Sequence, residues 1–72
     1  MVYTEVEIEE LIDDYQRFKD FGMSCTNQHF SNFIGIVHRA KAQKSSQDTV
    51  TISGQEMHSL IYSRSVIRKR GY

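Results

Sequence analysis

Four side chains supply the soft or imidazole donors of this chain: Cys25, His29, His38 and His58. Cys25 and His29 lie four apart and would share one face of a helix that began early enough. A structural zinc site wants four such ligands, usually in close pairs, whereas His38 and His58 each stand isolated in the sequence. The spacing predicts polar surface histidines, a Cys25 that fills a turn or core position, and no metal or cofactor. A catalytic thiolate would also need a base and an orienting group. There is no glycine-rich phosphate loop, Ser/His/Asp arrangement or dinucleotide fingerprint. The chain is therefore expected not to be an enzyme.

Charge is the other chemical resource, and it is segregated. Residues 1–21 carry seven acids (Glu5, Glu7, Glu9, Glu10, Asp13, Asp14, Asp20) and two bases, a net of −5. Residues 22–72 carry seven bases and two acids, a net of +5. Such a chain either folds its acidic part against its basic part or offers two differently charged surfaces to partners. On a helix Glu5, Glu9 and Asp13 share one face, and Glu10 and Asp14 another, which reads as a solvated outer surface. Arg39, Lys41, Arg64, Arg68, Lys69 and Arg70 form the candidate binding set, for an acidic partner or for phosphates. Their simplest structural use is to answer the acids of the first segment and the dipole of the last helix.

These side chains need elements to position them, and three amphipathic segments are in view. The first runs from about Thr4 to Phe21. Thr4 and Glu7 have capping-box spacing, Ile8, Leu11, Ile12, Tyr15 and Phe18 make one helical face, and Gly22 suits a left-handed end. Asp13 and Arg17 are four apart, the spacing of a stabilising helical pair. The second segment runs from about Thr26 to Ala42, with Ser24 or Thr26 as cap and Phe30, Phe33, Ile34, Val37 and Ala40 or Lys41 as its stripe. Gly35 in its middle costs about 1 kcal/mol against alanine, a cost that close approach of a neighbouring backbone would offset. Gln43–Asp48 reads as a loop. Thr49–Ile52 alternates like a strand, but no partner strand is evident, so it reads as an extended entry with Ile52 stapling the next helix. The third segment runs from about Gly54 to Lys69, boxed by Ser53 and Glu56, with Met57, Leu60, Ile61 and Ile67 as its stripe and Val66 beside it.

The turn at Phe21–Cys25 between two helical segments has the outline of a helix-turn-helix. The segment before it is acidic, however, and the one after it carries no base until Arg39. Asn27 and Gln28 could read base edges, but the phosphate anchors would have to come from elsewhere.

The expectation is one all-α domain over residues 1–72: a helical hairpin plus a third, C-terminal helix. With 72 residues, one cysteine and no proline, such a chain has no intrachain disulfide to support a small core. Ile36, Tyr62, Val66 and Tyr3 look surplus to that core, so self-association, most simply as a symmetric dimer, is expected through Ile36, Tyr62 and Val66. No secretory pattern or run near 20 apolar residues is present, which points to a soluble, cytoplasmic chain. The expected function is a small non-enzymatic regulator or adaptor that binds another protein by a helical face. The alternatives are a nucleic-acid-binding regulator using the basic set, and a small-molecule binder at a subunit interface.

Overall fold

The computed structural model describes residues 2–24 and 27–71; Cys25 and Thr26, read above as a turn or core residue and a helix cap, lie outside them. The first element is a strand where a helix was predicted. The order is β1 (Tyr3–Glu7), α1 (Ile8–Asp20), α2 (Gln28–Gln43), β2 (Thr49–Ser53) and α3 (Gly54–Gly71). The architecture is thus three helices plus a small antiparallel sheet, and the all-α expectation is corrected.

The strand in Thr49–Ile52 has its partner at the other end of the chain. β1 and β2 pair in register Tyr3↔Ser53, Thr4↔Ile52, Glu5↔Thr51, Val6↔Val50 and Glu7↔Thr49. Two backbone bonds bracket the ladder, Gly54 N–H to Val2 O and Ile8 N–H to Asp48 O, both 2.9 Å. Directly opposed residues share a face of a sheet. Val6, Val50 and Ile52 therefore point together into the core and are buried, while Glu5 and Thr51 point to solvent. Thr4 sits inside this ladder, so it cannot begin a helix, and the box predicted from Thr4 and Glu7 does not form. α1 starts at Ile8 with Glu7 as its cap residue and no side-chain cap bond.

The helix ends follow local chemistry more closely. Gly22 has φ of 67°, a conformation costly for residues with a Cβ. It closes α1 with Met23 N–H bonded to Phe18 O at 3.2 Å and Gly22 N–H to Lys19 O at 3.0 Å, the paired bonds of a Schellman motif. α2 is capped by Asn27, whose Oδ1 accepts from the His29 amide at 2.8 Å. α3 is capped as predicted: Ser53 Oγ accepts from Glu56 N–H at 3.2 Å, and Glu56 Oε1 accepts from Ser53 N–H at 3.0 Å. At Gly35 nothing lies within 4 Å of where a Cβ would be. No close backbone contact offsets its helix cost there.

α1 and α2 form the predicted antiparallel hairpin. Phe18 meets Phe30 with ring centroids 5.5 Å apart, and Tyr15 meets His38 at 6.2 Å, further along α2. α3 runs antiparallel to α2, since Ser59 lies against His29 while Glu56 lies against Arg39. The core joins Leu11 and Phe18, Phe33, Ile36 and Val37, and Leu60 and Ile67 to the inner face of the sheet. Ile36 is 1% exposed. It was expected at a contact between copies, but the sheet and α3 widen the core to take it in. Ile61 errs the other way: predicted in the α3 stripe, it is 57% exposed. The buried line of α3 is instead Ser59, Leu60, Ser63 and Ile67, because small serines let α3 pack close to α2. No helix among the described residues is long and apolar enough to cross a membrane.

Candidate functional site

The helix packing decides what becomes of the acids and bases. α1 and α3 run side by side in the same direction, with Asp14 against Arg64. Arg64 Nε donates to Asp14 Oδ2 at 2.6 Å, and the two side chains are 17% and 9% exposed. Glu10 stands 3.7 Å from Arg64 Nη2, which is buried and makes no hydrogen bond. Breaking a buried pair of this kind leaves a stranded charge and costs several kcal/mol. The acidic segment thus folds against the basic one at this point, while Glu5, Glu7, Glu9 and Asp13 stay on the outer surface.

Arg39 is also committed. Its guanidinium reaches both Glu56 carboxylate oxygens, at 2.9 and 3.2 Å, and the Thr51 carbonyl at 3.1 Å. Glu56 is held below its ordinary value of 4.5, first by the Arg39 hydrogen bond and then, against a desolvation cost, by the Ser53 amide. Lys41 is exposed, with its ammonium 4.7 Å from the centre of the Tyr15 ring; Lys19 approaches the same ring at 5.2 Å. Arg68, Lys69 and Arg70 are exposed and form no ion pair among the described residues.

The six bases singled out in the sequence do not form one patch. Arg39 and Lys41 lie at the C-terminal end of α2. Arg68, Lys69 and Arg70 end α3 beyond the opposite end of α2, because the two helices are antiparallel. The asset that periodicity missed is Ile61. It lies in a shallow groove with Arg64, Ser65, Arg68 and Lys69, an apolar side chain beside two uncommitted cations. Of the residues expected between copies, Ile36 is inside the core, whereas Tyr62 is 39% exposed and Val66 half-buried. Tyr62 packs on Phe30 at 5.8 Å, and Val66 borders a groove with Gly22, Met23 and Phe30.

The seam between α2 and α3 is polar at its Asn27 end. His29 Nδ1 lies 3.0 Å from Ser59 Oγ, which also accepts from Asn32 Nδ2 at 3.0 Å. Ser63 Oγ donates to the His29 carbonyl at 3.4 Å, and Asn27 Nδ2 to the Tyr62 hydroxyl at 3.2 Å. A Ser beside a His invites a nucleophilic reading. Yet Ser59 is 1% exposed and its partner on the far side is an amide. The geometry seals this hydroxyl away instead of presenting it to a substrate. His58, isolated in the sequence, has a neighbour in space: its ring centroid is 5.6 Å from that of His29. No group of three or more His, Cys, Asp or Glu poised for a metal occurs among the described residues.

Comparison with protein-family models, curated proteins and solved structures returns no match.

Proposed function

We propose that the chain is a small non-enzymatic adaptor that binds an acidic partner protein through the outer face of α3. The observation that carries this reading is Ile61, 57% exposed and set in one groove with Arg68 and Lys69. An apolar anchor ringed by cations suits an amphipathic acidic helix: the anchor supplies affinity, and the charges steer approach and reject basic partners. The nucleic-acid reading is weaker, since the bases are divided between two ends of the fold and two of the six are engaged by acids. Self-association belongs with the adaptor reading through Tyr62 and Val66, beside Phe30, with Ile36 withdrawn. Light scattering at micromolar concentration tests that part, and a strict monomer removes it.

The main test compares wild type with Ile61→Asp and with Arg68→Glu/Lys69→Glu as immobilised baits, each with unchanged circular dichroism. Recovery of one partner protein by the wild type, reduced at least about tenfold by either variant and unaffected by nuclease, supports the adaptor. Capture that ignores both variants rejects the α3 face. Capture that disappears with nuclease and falls steeply with salt assigns the bases to nucleic acid.

A further inference from the structure

We infer that His29 and His58 form a two-imidazole site for a borderline divalent metal ion, of the Zn²⁺, Ni²⁺ or Cu²⁺ class, that ties the start of α2 to α3. The two residues are 29 positions apart in sequence and meet only because α2 and α3 pack antiparallel. Their ring centroids lie 5.6 Å apart with planes tilted by 58°. A metal ion 2.0–2.1 Å from an imidazole nitrogen sits about 3.2 Å from that ring's centre. Two rings sharing one ion at a tetrahedral angle then have centres about 5.2 Å apart, and about 5.5 Å at a trigonal angle. The observed centroid spacing is close to these values, and His58, exposed at the surface, is free to swing so that one of its nitrogens shares the ion.

His29 is built as a ligand residue usually is, with its second nitrogen held by the protein. Ser59 Oγ stands 3.0 Å from Nδ1 and is itself fixed by Asn32. In the tautomer in which Nδ1–H donates to Ser59 Oγ, the Nε2 lone pair is free for an ion, and ion binding selects that tautomer. The ring also packs on Tyr62 at 4.6 Å, and the Tyr62 hydroxyl is bonded to Asn27, whose Oδ1 caps the His29 amide. Ring, cap and tyrosine hold one another, so little ordering remains when an ion arrives. Imidazole donors select the later first-row ions over Mg²⁺ and Ca²⁺, which demand oxygen. No third ligand joins among the described residues, so water completes the coordination and the site stays open to exchange.

The test is a Zn²⁺ or Ni²⁺ titration of the full chain, wild type and Cys25→Ser, followed by imidazole nitrogen shifts and melting temperature. The His29 and His58 signals are expected to move together, with His38 unmoved and the melting temperature raised, in both chains. His58→Ala should weaken binding more than tenfold, Ser59→Ala about tenfold by freeing the His29 ring, and His38→Ala not at all; Mg²⁺ should have no effect. Undiminished affinity in His58→Ala overturns the proposal. So does binding that is lost with Cys25→Ser, or no shift at roughly millimolar ion.

Discussion

At two places in this fold a strand runs straight into a helix, at Glu7–Ile8 and at Ser53–Gly54, and the two junctions are held differently. The second is closed by three partners: Ser53 and Glu56 bond each other's amides, and Arg39 grips Glu56 from α2. The first has no side-chain cap at all. Both carry capping-box spacing in the sequence, Thr4 with Glu7 and Ser53 with Glu56. A cap works only at a free helix start, and strand pairing decides where that start falls. Pairing Thr4 with Ile52 draws four residues of the first motif into the ladder and moves the helix start to Ile8. The ladder leaves Ser53 at its end, where its hydroxyl can serve.

The largest expected effect comes from the element both junctions share. Ile52→Ala removes a fully buried side chain of β2 and should cost about 2–5 kcal/mol, read from the urea midpoint. Because the sheet joins the two junctions directly, amide exchange should then quicken at Val6 as well as at Val50. Protection that persists at Val6 means β1 is held without β2. Next comes Glu56→Ala, which removes the carboxylate bonds to the Ser53 amide and to Arg39 while leaving the Ser53 hydroxyl on the amide of residue 56, for about 1 kcal/mol. This contribution has a pH signature. A carboxylate whose folded pKa lies below its ordinary 4.5 stabilises the fold fully above that value. It loses the advantage as pH falls through the lowered one. The gap between wild type and Glu56→Ala should therefore be constant at neutral pH and narrow in acid. A gap that widens in acid has the wrong sign for the bond described.

What could be read from the chain follows the same division. The hydrophobic face of the first helix, the Gly22 stop and the Ser53 box were legible because each depends on neighbours within a few residues, whereas Ile36 of the second helix was not. The sheet was not. β1 offers a single buried apolar residue, Val6, among Thr4, Glu5 and Glu7, and its partner lies more than 40 residues away. The α3 stripe misled because packing against α2 calls for small Ser59 and Ser63 where periodicity looks for large apolar residues. That choice turns Ile61 outward and makes it part of the candidate site. The His29–His58 pair was invisible for a related reason: its spacing belongs to the crossing of two helices and to neither one.

The bare junction can also be improved. Glu7 has an extended backbone, φ −66° and ψ 129°, the conformation of a cap residue, so Glu7→Ser should gain about 0.5–1 kcal/mol. No gain in the melting curve would mean that the Glu7 carboxylate, through the α1 dipole, already matches a hydroxyl cap.

The smallest expected effect discriminates most sharply. Thr4→Val keeps the size and β-branching of threonine and deletes only its hydroxyl. If a helix began at Thr4, that hydroxyl would cap it, and its loss would cost about 1 kcal/mol. In β1 the residue bonds Ile52 through its backbone, which valine preserves, and it stands opposite an isoleucine at the rim of the inner face. β-branched apolar pairs are favourable across such a ladder. The strand therefore expects a change within about 0.5 kcal/mol, or a slight gain. A loss near 1 kcal/mol in the urea midpoint would place the helix start at Thr4 and remove the sheet, and the contrast between the two junctions would go with it.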